Sequence, residues 1–124
     1  MVLIIGGAYQ GKLDFAMAEF GVTAAEVFTC KDTQIDFSKR CVRNLEVFSR
    51  ACVQVGIEPR DYLEANRAAW ENSIFICRDI SCGVVPMGEK KRLWRQKNGA
   101  MVQYLSREAD RVSRIFCGLE QRLK

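Results

Sequence analysis

Apolar and polar positions fall in blocks along this chain, and the blocks predict strands separated by helices. Residues 1–6 are a short apolar run ending in Gly6-Gly7, which reads as a buried strand. Residues 12–20 have helix-forming character and stop at Gly21, a plausible helix C′ position. Val27 to Cys30 is rich in strand formers. Cys41, Leu45, Phe48, Cys52 and Val55 then recur at helical spacing, predicting a helix capped by Asp36 and ended by Gly56. Pro59 opens a further helix, predicted to run to about Asn72 with Tyr62, Leu63, Ala69 and Trp70 as its apolar positions. Ser73 to Cys77 is the clearest central strand. A loop ending in Val84-Val85-Pro86 follows. A long helix over 88–109 carries Trp94, Met101, Leu105 and Ala109 on one side, and Val112 to Cys117 is the last strand, closed by Gly118.

There is no internal repeat, linker or low-complexity stretch, so residues 1–124 read as one domain. Strands separated by helices imply right-handed crossovers and a parallel sheet covered on both faces. The expected fold is therefore α/β, a three-layer sandwich around a small, mainly parallel sheet. Such sheets bind ligands at the carboxyl ends of their strands. Four loops lie there: 6–12, 30–36, 78–86 and 118–120.

Composition narrows the chemistry. The chain has no histidine, which excludes Ser–His–Asp and Cys–His nucleophiles, zinc sites with histidine ligands and phospho- or nucleotidyl-histidine intermediates. A content of 48% hydrophobic and 27% charged residues is that of a globular protein. No apolar run reaches the roughly 18 residues a membrane helix needs. The apolar start is too short for a signal peptide, so a cytoplasmic protein without a membrane partner is expected. The six cysteines contain no C-x-x-C pair. Cys30, Cys41, Cys52, Cys77 and Cys117 fall in apolar patterns and read as small core residues. Cys82 falls in a loop, where a reactive thiol is conceivable.

Charge is uneven. Residues 1–62 carry 7 basic and 8 acidic side chains; residues 63–124 carry 12 and 7. The densest cluster is Lys90, Lys91, Arg92, Arg95 and Lys97. Such a cluster either meets phosphates or is a solvated helix face. No aromatic interleaving accompanies it, which argues against nucleic acid as a partner.

The most informative segment is Gly6-Gly7-Ala8-Tyr9-Gln10-Gly11-Lys12-Leu13. It fits G-x-x-x-x-G-K between a predicted strand and a predicted helix. The glycines let the backbone curl so that N–H groups point at an anion, and the helix adds its positive end. Gly6, Gly7, Ala8, Gln10, Gly11 and Lys12 are thus candidate phosphate-binding residues for ATP or GTP, together with Arg92 and Arg95 of the basic cluster. Lys12 is also a candidate catalytic cation. Leu13 stands where a Ser or Thr hydroxyl ordinarily binds Mg²⁺, so magnesium binding is weakened. Asp32, past the second strand, and Asp79, past the third, are the candidate carboxylates. Asp32 is assigned to metal and Asp79 to catalysis.

The C-terminal half resembles a known family. Ile74-Phe75-Ile76-Cys77-Arg78-Asp79 followed by Gly83-Val84-Val85-Pro86 is similar to the strand and loop of the bifunctional adenosylcobinamide kinase/adenosylcobinamide-phosphate guanylyltransferases. Arg92, Trp94-Arg95, Gly99 and Gln103 repeat the order of the family's next helix. Ala109-Asp110-Arg111-Val112 and Gly118-Leu119 resemble its last strand. Leu3 to Ala8 with Gly11-Lys12 resemble its first strand and phosphate loop. The resemblance covers about residues 1–20 and 73–124, and the middle is shorter than in the family.

The resemblance implies a P-loop NTPase-like fold, nucleotide and corrinoid ligands, and association into homo-oligomers. It implies two reactions: phosphorylation of a corrinoid alcohol, and transfer of GMP onto that phosphate through a covalent enzyme intermediate. The departures fall on chemistry. Leu13 replaces the metal-binding hydroxyl, Arg78-Asp79 replace Asn-Glu, and the histidine that carries the guanylyl group has no counterpart. The expected function is a divergent nucleotide-binding protein with kinase-type chemistry and without histidine-dependent guanylyl transfer. A non-catalytic binding module and another small P-loop kinase are the alternatives.

Overall fold

A computed structural model of the chain describes residues 1–80 and 88–124. Six strands form one sheet: β1 (Val2–Gly6), β2 (Val27–Thr29), β3 (Cys41–Arg43), β4 (Ile74–Arg78), β5 (Arg111–Phe116) and β6 (Leu119–Arg122). Their order is β2-β3-β4-β1-β5-β6. All neighbours are parallel except β5 and β6. The helices are α1 (Lys12–Phe20), α2 (Leu45–Gln54), α3 (Pro59–Ala65) and α4 (Glu89–Glu108).

β1 and β4 are unbroken apolar runs because both of their faces are covered. Leu3, Phe75 and Cys77 turn to one face, where they meet Val42, Phe48, Leu63, Trp70, Met101 and Leu105. Ile4, Ile74 and Ile76 turn to the other, against Ala16, Val22 and Ile115. These are the three layers of an α/β sandwich, as the sequence pattern predicts.

Four elements differ from the pattern. Cys41 does not begin a helix. It lies in β3, buried among Ile4, Ile74 and Ile76, and α2 starts only at Leu45. Cys41 happens to continue the helical spacing of α2 backwards, so period alone could not separate β3 from it. Asp36 is accordingly no helix cap. Its carboxylate accepts the Ser38 N–H at 3.0 Å in a turn, while Asn44, at φ 59°, precedes α2. The helix opened by Pro59 ends at Ala65, and a 3-10 turn over Arg67–Trp70 carries the Trp70 indole back to donate to Leu63 O at 2.8 Å.

The fourth difference is β6, which the pattern leaves as loop. Cys117 and Gly118 both take left-handed φ, 50° and 76°, and form a two-residue hairpin turn. Cys117 is therefore exposed at the turn and not in the core, unlike Cys30, Cys41, Cys52 and Cys77. Cys82 and the Gly83–Pro86 segment lie outside the described residues. Among the described residues no helix is long and apolar enough to cross a membrane.

Candidate phosphate-binding site

The segment between β1 and α1 is built by close approach. A Cβ on Gly6 would lie 2.6 Å from Ile115 O, so only glycine lets β1 pass this close to β5 at its end. Gly6 O in turn accepts the Asp79 N–H at 2.8 Å, tying the ends of β1 and β4 together. Gly11, at φ 87°, turns the chain into α1. The β5–β6 turn braces the loop from outside: Gly118 N–H donates to Gln10 O at 2.9 Å, and Cys117 N–H donates to Gln10 Oε1 at 2.6 Å. Gln10 thus holds the loop's shape with its side chain.

Lys12 leads into a cleft of about 550 Å³. One wall is the loop itself, from Ala8 to Leu13. The other is Arg43 and Asn44 after β3, Glu46 on α2, and Arg78 at the end of β4. The Lys12 ammonium donates to Gly7 O at 2.6 Å. Burial holds its pKa below the ordinary lysine value, and the nearby Glu46 carboxylate opposes that shift. Glu46 is almost fully buried, and its Oε1 accepts the Arg78 N–H at 2.8 Å.

A polar network fixes Glu46 from behind. Trp94 Nε1 on α4 donates to Glu46 O at 3.1 Å and to Ser49 Oγ at 3.0 Å. Ser49 Oγ donates to Asn98 Oδ1 at 2.6 Å. The cleft therefore presents three cationic side chains, Lys12, Arg43 and Arg78, and two acids, Asp14 and Glu46. Such a set suits a polyanion with room beside it for a counter-charge.

The predicted residues divide between two places. Ala8, Gln10, Gly11 and Lys12 line the cleft, with Gly6 and Gly7 behind them as backbone supports. Asp79 and Arg95 line a second cavity of about 190 Å³ between the end of β4 and α4. Arg92 is exposed on the first turns of α4. Asp32 is exposed in the turn after β2, where its carboxylate accepts the Gln34 N–H at 2.8 Å. Sequence reasoning missed Arg43, Asn44 and Glu46. Their signal was position after a strand, and it was hidden when Cys41 to Arg43 read as helix.

Leu13 bears on magnesium. Its side chain packs against the Ile4–Ile76 cluster and offers no oxygen. The carboxylates lining the cleft belong to Asp14 and Glu46. Among the described residues no group of three or more Cys, Asp and Glu side chains is placed to hold a metal.

A family model described as cobinamide kinase / cobinamide phosphate guanyltransferase matches residues 41–123. The chain belongs to this family. A comparison with curated protein sequences gives no match. The family match takes in the middle of the chain, 41–72, with Arg43 and Glu46, and continues through Arg78. The phosphate loop lies before it. The cobinamide kinase/guanyltransferase family has a P-loop NTPase-like fold, in agreement with the parallel sheet and loop-to-helix geometry here. Nucleotide and cobinamide are the ligands of that family.

Proposed function

We propose that this chain binds a nucleoside triphosphate in the Lys12 cleft and transfers its terminal phosphoryl group to a corrinoid alcohol, slowly and without the guanylyl transfer. The observation that carries this reading is the meeting of Lys12 and the loop end of α1 with Arg43 and Arg78 across one cleft. Loop N–H groups and the first turn of α1 cradle the phosphates. Lys12 exchanges Gly7 O for a phosphate oxygen, whose negative charge opposes the effect of burial on its ammonium. Arg43 and Arg78 offset charge from the facing wall. In the transfer, the alcohol oxygen bonds to phosphorus, the bond to the departing nucleoside diphosphate breaks, and the alcohol proton leaves to solvent. Positioning and electrostatics supply most of the rate in such reactions.

Asp14 and Glu46 are the cleft carboxylates that would meet a magnesium ion arriving with the nucleotide. Bound there, the ion would neutralise phosphate charge. Because Leu13 contributes no ligand, the nucleotide is held mainly by cations of the chain, and turnover is correspondingly weak. Guanylyl transfer through histidine is closed by the absence of that residue. ATP and GTP fit this account equally.

The test is incubation of the chain with cobinamide and GTP or ATP labelled in the terminal phosphate. Labelled cobinamide phosphate and no covalent guanylyl-protein are expected. Leu13 favours a second reading, a module that holds a nucleotide without turnover. Intact nucleotide binding with no labelled product selects it. Failure of both nucleotides, at millimolar concentration with Mg²⁺, to raise the melting temperature overturns both readings.

A further inference from the structure

Gly99 stands in the middle of α4, where glycine is the least favourable residue after proline. Neither backbone conformation nor close packing requires it there. Its φ is not in the left-handed region, and among the described residues a Cβ at Gly99 would meet no heavy atom within 4 Å. Arg95, Asn98, Gly99 and Val102 form one stripe of α4, at i, i+3, i+4 and i+7, and that stripe lines the cavity of about 190 Å³ against the end of β4. A side chain at 99 would enter this space, so the glycine keeps it open.

The walls combine carbon with a few placed polar groups, the usual make-up of a small-ligand site. Ile5, Cys77 and Val102 supply the apolar surface; Asp79, Arg95 and Asn98 supply the polar groups. Asn98 is buried and held by the Ser49 hydroxyl at 2.6 Å, so that wall is fixed. The cavity is smaller than the roughly 300–1,000 Å³ of sites for whole drug-sized ligands, whereas the Lys12 cleft lies within that range. It therefore takes a short chain and not a nucleoside.

Its position ties it to the phosphate loop. Arg78 lines both spaces, and the Asp79 N–H donates to Gly6 O, the first residue of the loop, at 2.8 Å. A hydroxyl at the Asp79 side of the cavity thus lies next to the segment that cradles phosphates.

We propose that this cavity receives the hydroxyl-bearing arm of the corrinoid alcohol, a reading that rests on the kinase function above. The macrocycle is too large for the space and stays outside. The arm's carbons lie against Ile5, Cys77 and Val102. Its hydroxyl meets Asp79 and Arg95, with the nucleotide phosphates across Arg78 in the Lys12 cleft.

The test uses the full chain, methyl-labelled at isoleucine and valine, as wild type, Gly99→Ala and Gly99→Leu. Melting temperatures equal to or above the wild type establish that the variants fold, since each replaces a helix-interior glycine. Cobinamide should shift the Ile5 and Val102 methyl resonances of the wild type and of Gly99→Ala, but not those of Gly99→Leu, whose side chain occupies the cavity. Free 1-amino-2-propanol at high millimolar concentration should move the same two residues. In the phosphoryl-transfer assay, Gly99→Leu should raise the KM for cobinamide about tenfold or more while nucleotide affinity stays unchanged. Wild-type methyls that cobinamide leaves unmoved overturn the proposal, as does cobinamide binding that Gly99→Leu does not weaken. Shifts with cobinamide and none with 1-amino-2-propanol overturn the assignment to the arm. Methyl shifts without phosphoryl transfer overturn the kinase reading alone and leave the arm site standing.

Discussion

On one face of the sheet, α2, α3, α4 and the turn after α3 bury Phe48, Leu63, Trp70, Met101 and Leu105 against Leu3, Val42 and Phe75. On the other, among the described residues, the nine-residue helix α1 has one buried residue, Ala16, packed near Ile4, Ile76 and Ile115. The thick face holds the aromatic core and the Ser49–Asn98–Trp94 network. The thin face carries the helix whose first turn closes the cleft. Stability and ligand chemistry are thus separable: large side chains on the thick face set the former, and a lysine at the start of the thin face's helix sets the latter.

The sharpest way to break this contrast is Trp70→Ala. Trp70 is fully buried, tilted against Phe75 with ring centroids 5.5 Å apart. Its loss should cost about 3–5 kcal/mol, measured by urea unfolding. The matching change on the thin face is Lys12→Ala. Because burial already disfavours the Lys12 ammonium, its removal should leave unliganded stability within about 0.5 kcal/mol or raise it. Comparable losses for both changes would end the separation.

A smaller effect is expected at the network behind the cleft. Asn98→Ala removes the acceptor that the Ser49 hydroxyl meets at 2.6 Å, leaving it Glu46 O and Trp94 Nε1 as partners, and should cost about 0.5–1.5 kcal/mol by the same measurement. An effect near zero would show that Trp94 and Ser49 hold Glu46 without Asn98.

Alkaline pH should also act mainly through the core. Burial pushes Cys30 up to about 12 and Cys41 and Cys52 up to about 11. These thiols ionise in the unfolded chain near the ordinary value of 9.0 but not in the fold. Their contribution is complete below pH 9, and it is lost as pH rises from 9.0 through about 11–12. Lys12 acts in the opposite sense, since its folded pKa lies below its unfolded one and its burial cost fades as it deprotonates. Three thiols against one lysine predict a melting temperature that falls above pH 9. A flat or rising profile there would contradict the burial of these thiols.

The smallest perturbation is alkylation at neutral pH. Mass-mapped labelling of the native protein should find Cys117 modified before Cys30, Cys41, Cys52 and Cys77. Early modification of any of those four would place it outside the core.

Much of the fold was legible because its signals were long or unbroken. β1, β4 and α4 announce themselves by apolar runs or a twenty-residue helical stretch. β3 was not, because three residues span less than one helical turn and its cysteine kept the spacing of α2. β6 was not, because all its side chains are exposed and its turn depends on a non-glycine residue at positive φ. The loop half of the cleft followed from local chain order, since Gly6 to Lys12 are contiguous. The facing half, Arg43, Glu46 and Arg78, comes from three elements brought together by the crossover of the sheet, and no local pattern marks them as a set. Asp79 shows the converse: it follows a strand at the carboxyl edge, yet faces the neighbouring cavity while Arg78 reaches both.

The central claim is that Lys12 and its cleft bind nucleotide phosphates. Isothermal titration of ATP and GTP, with Mg²⁺, into the wild type and Lys12→Ala tests it most directly. Loss of one charge-assisted contact of about 1.5–3 kcal/mol should weaken binding roughly 10- to 150-fold, with the unliganded melting temperature unchanged. Equal affinity in the two proteins, or no heat from either nucleotide with the wild type, would contradict it.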